Sequence, residues 1–214
     1  TVDYILGIPL FAQKIGKENL SSLLCRLGNP EKAIPAVHVA GTNGKGSTCR
    51  ALAQMLTGMG YRVGLFTSPH LVSINERIQI DGENISDADF VWAFETVKEK
   101  FTQHPSFFEV MFAMAAVYFR EKKCDFVVYE TGMGGRLDAT NVLMPELSII
   151  TSVGMDHMEY LGDTIEKIAA EKAGIIKPGI PIIYFKRDEA VAKVIEDTAC
   201  LLYTSPSPRD RQKS

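Results

Sequence analysis

The stretch His38-Val-Ala-Gly41-Thr-Asn-Gly44-Lys45-Gly46-Ser47-Thr48 has the composition of a phosphate cradle. Glycines at 41, 44 and 46 admit backbone angles closed to other residues and let main-chain N–H groups approach an anion with no Cβ in the way. An apolar strand precedes the turn and a helix opens near Ser47, so unpaired N–H groups and the positive end of a helix dipole face the same anion. Lys45 adds a point charge for terminal phosphates, and the hydroxyls of Ser47 and Thr48 are candidates for Mg²⁺ or phosphate. Strict Walker spacing is not met, because Gly46 separates Lys45 from the first hydroxyl and Val39 stands where the leading glycine would fall. The stretch therefore reads as a shorter variant loop. A plain strand-to-helix turn would account for the glycines but not for the lysine and the hydroxyls.

Three further side chains belong to the same chemistry if the chain brings them to one edge. Glu130 ends the apolar run Val127-Val128-Tyr129 and precedes the glycine-rich Thr131-Gly132-Met133-Gly134-Gly135-Arg136. A carboxylate there can hold Mg²⁺ or orient a water, or merely cap a turn. His157 follows another apolar run and has Asp156 beside it; a lone histidine is by itself more often a satisfied polar residue than a ligand. Lys172 stands out by position: on a helix whose apolar stripe runs Ile165, Ile168, Ala169 and Ile176, it occupies an inward slot, whereas Lys167 and Glu171 face out. Such a lysine either snorkels to water or meets a buried partner. Burial lowers its pKa and favours the neutral amine, which can add CO₂ to give a metal-binding carbamate. Glu109 sits in the first turn of the apolar helix from Phe107 to Phe119. It either complements the helix N-terminus or joins Phe107 and Phe108 in lining a pocket for a flat, polar, pterin-like ring.

The elements that must position these groups alternate in type. Strands are expected at 34–39, 62–67, 124–130, 147–152 and 181–185, and helices at 47–59, 86–101, 107–121, 163–176 and 189–198. Arg77 to Ile80, turning at Asp81-Gly82, reads as one arm of a hairpin or an edge strand. Ser86 with Asp89, and Asp163 with Glu166, read as approximate capping boxes. Apolar strands separated by helices predict an α/β domain of the P-loop type: a doubly wound, mostly parallel sheet with helices on both faces. Ligands of such sheets gather at the carboxyl ends of the strands, which is where Lys45, Glu130 and His157 would fall.

Composition narrows the function. The 214 residues are 46% hydrophobic with a net charge of −3, enough for a core and against a nucleic-acid partner held by bulk electrostatics. Four cysteines without C-x-x-C spacing suggest neither a zinc site nor a disulfide framework, and fit a reducing, cytoplasmic setting. No run reaches membrane-spanning length and no signal peptide is visible. The chain begins at Thr1 and reads as a fragment at that end, while residues 200–214 lose periodicity and turn Ser-, Pro- and base-rich. The expectation is a domain of residues 1–199 followed by a tail, 200–214, that is disordered or artefactual, resembling translated adapter read-through.

Taken in order, Gly41-Thr-Asn-Gly-Lys-Gly-Ser47, Thr67-Ser-Pro-His70, Asn75-Glu-Arg77, Glu130-Thr-Gly-Met-Gly-Gly-Arg-Leu-Asp-Ala-Thr-Asn141, Asp156-His157 and Glu171-Lys-Ala-Gly-Ile175 closely resemble the folylpolyglutamate synthase and dihydrofolate synthase branch of the Mur ligase family. The resemblance covers about residues 2 to 199 and implies the fold of that family's central domain. It implies that Asn43, Gly44, Lys45 and Gly46 bind ATP phosphates, with Ser47 and Thr48 beside them. It implies that Ser68, Glu130 and His157 are magnesium ligands and that Lys172 is carbamylated. Ser106, Phe107, Phe108 and Glu109, with Leu137, Asp138 and Ala139, would bind the pteroate part of the substrate. The implied reaction turns a folate or dihydropteroate carboxylate into an acyl phosphate at the expense of ATP; L-glutamate then displaces phosphate to form an amide, with Lys45, His157 and Lys172 in catalytic roles and two Mg²⁺ ions taking part. The partners implied are small molecules, with a monomer expected. Family members carry a second, C-terminal domain that helps bind glutamate. It is absent from these 214 residues, so nucleotide binding with little ligase turnover is expected. A P-loop GTPase is disfavoured by the lack of an Asn-Lys-x-Asp signature; a non-catalytic nucleotide-binding module and a cell-wall Mur ligase are the competing readings.

Overall fold

In a computed structural model of the chain, residues 17–102 and 105–204 are described. Seven strands form one sheet: β1 (Ala36–Ala40), β2 (Val63–Phe66), β3 (Ile78–Ile80), β4 (Glu83–Asn84), β5 (Phe126–Glu130), β6 (Leu147–Ile150) and β7 (Ile182–Tyr184). Their order is β4-β3-β2-β5-β1-β6-β7. The five strands from β2 to β7 in that order are parallel, and β3 and β4 add an antiparallel hairpin at one edge. The hairpin expected around Asp81-Gly82 is thus present, with Asp81 and Gly82 both at positive φ. Arg77 lies just outside it, in a short 3-10 turn, Ile74–Arg77.

Strand alternation sorts the side chains into two layers. Val37, Val39, Val63, Leu65, Val128 and Ile149 face helix α2 (Lys45–Gly58), which runs from the phosphate loop back across the sheet. Ala36, Phe66, Val127 and Tyr129 face the opposite way, into the larger core built with α1 (Lys17–Arg26), α3 (Asp87–Lys98) and α4 (Phe107–Glu121). Farther along, Ala40 and Ile150 meet α6 (Ile165–Ala173) and α7 (Glu189–Thr204), with the short α5 (Met158–Leu161) ahead of α6. Helices cover both faces, as a parallel sheet with apolar strands requires.

The densest packing is aromatic. Phe112 and Phe119 each set their rings edge-on to Tyr129, at centroid distances of 5.4 and 6.1 Å. Gly64 makes room for this, since a Cβ there would lie 2.7 Å from Phe119. Truncating a ring such as Phe112 costs roughly 3–5 kcal/mol.

Several local expectations shift. Helix α2 begins at Lys45, not near Ser47, because left-handed Gly44 is its cap and Thr48 N–H already donates to Gly44 O at 2.9 Å. Ser86 caps α3 as expected, accepting from Asp89 N. For α6 the cap is Thr164 and not Asp163, whose carboxylate takes the Lys167 ammonium at 2.7 Å instead. Helix α7, expected to stop at Thr198, runs to Thr204, and Leu202 packs against the α6–α7 core. The periodicity was hidden there because the apolar spacing passes straight into a polar run. Residues 205–214 and 1–16 lie outside the described residues.

Candidate active site

Because β1 lies between β5 and β6, all three parallel, the turns after Ala40, Glu130 and Ile150 emerge side by side at one edge. The phosphate loop is anchored there to the exit of β6. Thr42 N donates to Ser152 O at 2.6 Å, Thr42 Oγ1 and Gly154 exchange hydrogen bonds, and Asn43 O accepts from the Thr151 and Ser152 hydroxyls at 2.8 and 3.1 Å. Gly41 is obligatory: its φ is +154°, and a Cβ would fall 1.9 Å from Thr151 Oγ1. The Lys45 ammonium folds over the loop, donating to Gly41 O and Thr42 O at 3.0 and 3.2 Å. Asn43, Gly44 and Ser47 are exposed and Gly46 and Thr48 partly so, leaving the rim of the loop accessible to a ligand.

Glu130 lies under this loop, 3% exposed, and a methyl at Gly46 would stand 3.5 Å from its Oε2. Burial pushes its carboxyl above the usual range; the Ser68 N–H at 3.0 Å and then the charges of Lys45, Arg50 and Arg77 draw it back. Beside it, the buried Thr131 hydroxyl has no hydrogen-bond partner among the described residues. An acid kept from water among cations, with orphaned and exposed hydroxyls around it, is a hard-oxygen donor set suited to Mg²⁺ with phosphate oxygens completing the shell.

Lys172 is buried, at 2% exposure, so it does not snorkel, and among the described residues its ammonium has no hydrogen-bond or ion-pair partner. Its pKa is lowered to about 8 by burial and by Lys45, with Asp156 pulling the other way, so the three charges share one neighbourhood. His157 follows Asp156, is held at φ 47°, and exposes 55% of its side chain; its Nε2 lies 3.7 Å from Asp156 Oδ2. The four rim residues are therefore unequal. Glu130 and Lys172 are buried and each feels the charge of the half-buried Lys45, whereas the His157 side chain is exposed.

The residues expected to bind pteroate divide in the same manner. Glu109 closes a capping box with Ser106, its Oε2 accepting from Ser106 N and Oγ at 2.7 and 2.8 Å. The helix-terminus reading of Glu109 is thus the one that its hydrogen bonds follow. Phe107 is buried and Phe108 partly so, its ring against Phe66 at 5.5 Å and so near Gly132 that a Cβ there would meet it at 2.7 Å. Leu137 is 67% exposed and Ala139 partly buried. Asp138 turns inward: Oδ2 accepts from Met133 N at 2.9 Å, and Oδ1 from Thr140 N and from the Thr140 hydroxyl. The Thr140 hydroxyl in turn meets His38 Nε2 at 2.7 Å. Asp138, Thr140 and His38 form a buried chain that binds the 131–142 loop to β1, so Asp138 shapes the loop from within.

That loop also locks onto the lysine helix. Arg136 N donates to Glu171 O at 2.7 Å, its guanidinium grips Glu171 Oε1, and Asn141 Nδ2 reaches Arg136 O and Gly174 O. Sequence reasoning had not singled out His38, Thr140 or Arg77. A signal was available for His38, the one polar residue in an otherwise apolar strand; Thr140 and Arg77 lie in short 3-10 turns, where the pattern carries no such mark.

The Mur ligase middle domain model matches residues 39–204, most of the chain. The chain belongs to the Mur ligase family. Among curated relatives, this Mur ligase domain is 48% identical over 204 residues to the dihydrofolate synthase/folylpolyglutamate synthase of Bacillus subtilis, covering 92% of this chain and 47% of the relative. Among solved structures it resembles an FPGS-AMPPCP-folate complex at TM-score 0.90 and 40% identity, covering 94% of this chain and 51% of the other. It also resembles E. coli FolC in complex with DHPP and ADP at TM-score 0.84 and 34% identity, covering 92% and 49%. The chain spans about half the length of the relatives it matches. No helix among the described residues is long and apolar enough to cross a membrane.

Proposed function

We propose that this Mur ligase domain is the nucleotide-binding half of an ATP-dependent ligase that joins a pteroate or folate carboxylate to the amine of L-glutamate. The observation that carries the proposal is the convergence of the phosphate loop, Glu130 and Lys172 on one sheet edge, next to an aromatic helix start. The relatives are named for this reaction, and solved neighbours hold a nucleotide analogue with folate or ADP with DHPP. In this reading Asn43 to Thr48 bind the ATP phosphates, Lys45 leaving its loop carbonyls for the terminal phosphate.

Mg²⁺ fits the residues present. Ser68 and Glu130 would hold one ion, and His157 with carbamylated Lys172 a second. When bound, these ions neutralise charge on the phosphates. The chain's own part is to keep the site charged and dry. Burial raises the Glu130 pKa, and the Ser68 N–H and three cations oppose that rise and favour its charged form. Lys172, a buried amine with lowered proton affinity, adds CO₂ by forming an N–C bond and releasing a proton. The carbamate reverses the sign of charge at that position, replacing a cation that has no partner among the described residues by an anion near Lys45. Phe107 and Phe108 offer a wall for the pterin ring, and Leu137 and Ala139 the facing loop, whose shape Asp138 fixes.

Calorimetry on the 214-residue chain tests this. AMPPCP with Mg²⁺ is expected to bind and dihydropteroate to bind after it, with nucleotide affinity lost in Lys45→Ala and Glu130→Ala. Tighter binding of UDP-muramyl peptides than of dihydropteroate would transfer the chain to the cell-wall branch.

A further inference from the structure

We propose that Arg77 is the residue that grips the substrate carboxylate and holds it as it becomes an acyl phosphate. This rests on the ligase reading above and names the group that meets the reacting end of the pteroate. Arg77 is 8% exposed, yet among the described residues no carboxylate oxygen lies within 4 Å of its guanidinium. A charge taken from water is costly unless something pairs with it. Here Nε donates to His70 Nδ1 at 2.8 Å and Cζ lies 5.2 Å from the Phe107 ring centroid. The two Nη groups have no hydrogen bond among the described residues and are not sealed from solvent. Two parallel donors therefore face a space that no protein acid fills.

The position of that space follows from the backbone. Arg77 O accepts from Thr67 N at 3.0 Å, and the next residue, Ser68, donates its N–H to Glu130. The guanidinium feels the Glu130 charge on one side and lies over Phe107 on the other. It therefore stands between the phosphate end of the site and the aromatic start of α4, where a benzoate-type carboxylate must sit if its ring system lies toward Phe108. Of the other cations, Lys45 is committed to the phosphate loop, Lys172 is buried, and Arg50 lies exposed on α2 beside Gly46.

The chemistry suits a guanidinium. A carboxylate oxygen attacks the γ-phosphorus, the bond from phosphorus to the ADP oxygen breaks, and the carboxylate's single negative charge becomes the greater charge of an acyl phosphate. The amine of glutamate then attacks the acyl carbon, the carbon–oxygen bond to phosphate breaks, and the amine's proton passes to solvent. A fork of two donors aligns both oxygens, and it stays protonated throughout. The Phe107 ring fixes the plane of that fork.

The test is calorimetry on this chain loaded with Mg²⁺ and AMPPCP, titrated with dihydropteroate and with its neutral carboxamide. Unsubstituted chain is expected to prefer the carboxylate by about tenfold to a hundredfold. In Arg77→Gln that preference falls to near unity, while AMPPCP affinity stays within about twofold. In Arg77→Lys, which keeps the charge and loses the fork, an intermediate preference is expected. A preference retained in Arg77→Gln with AMPPCP still bound overturns the proposal and leaves the ligase reading standing; an Arg77→Lys preference equal to that of the unsubstituted chain overturns the two-donor grip. If neither pteroate compound binds the unsubstituted chain while AMPPCP does, the folate reading fails and the Arg77 proposal fails with it.

Discussion

The phosphate loop and the histidine segment lie on the same rim but are held by different means. Thr42 and Asn43 are tied by main-chain and hydroxyl hydrogen bonds to Thr151–Gly154, more than a hundred positions away. His157 is held by its neighbours: its N–H donates to Asp156 Oδ1, and its carbonyl accepts from Tyr160 and Leu161. The nucleotide end of the site is thus set by sheet register and stands ready before a ligand arrives. The histidine end depends on one short turn, and its side chain is free to adjust. Stability and function should be inseparable at the first and separable at the second.

The sharpest attempt to break this contrast is Gly41→Ala. The added methyl collides with Thr151 Oγ1, so the loop must leave β6, at a cost of roughly 2–4 kcal/mol and with loss of nucleotide binding. Thermal melting and AMPPCP calorimetry read both effects; a variant that keeps its melting temperature and its affinity would show that the anchorage is dispensable. Thr140→Val should cost about 1–3 kcal/mol by stranding Asp138 and His38, and should weaken dihydropteroate binding more than AMPPCP binding. Equal losses for both ligands would mean that the chain of hydrogen bonds serves only the core.

Two pH effects follow from groups whose folded pKa is depressed. Lys172 titrates near 8 in the fold against 10.5 in the unfolded chain, so between those values the unfolded state binds more protons and stability rises with pH. Lys172→Met should erase that rise in urea melts. His38, buried beside Lys177, falls from 6.5 to about 3, so stability declines as pH drops from 6.5 toward 3. A flat profile through either window would contradict the burial of that group. The smallest effect is at the other pole of the comparison: His157→Ala should change stability by no more than about 0.5 kcal/mol while reducing the Mg²⁺ dependence of nucleotide binding. A large fall in melting temperature would show that the histidine turn is structural after all.

Much of the fold was readable because the five parallel strands are mostly apolar runs and the long helices are periodic. Boundaries moved where local bonding outweighed pattern: Gly44 started α2 early, Thr164 replaced Asp163 as a cap, and α7 outran its visible periodicity. Lys172 was legible because a charge on an apolar stripe violates the pattern. Arg77 was not legible, since a basic residue at the mouth of a strand reads as an ordinary surface charge until its lack of a partner is seen.

By itself, the order of residues determined the phosphate loop, the family and the set of groups available for chemistry, since glycine spacing and side-chain type are local properties. Only the tertiary structure decided how those groups are used. Glu109 and Asp138 looked like ligand contacts, yet the hydrogen bonds seen for both go to their own loops. Arg77 was given no role, yet its two Nη groups have no hydrogen bond among the described residues. Whether a polar group is free to bind depends on which partners the fold delivers to it, and those partners come from segments far away in the chain.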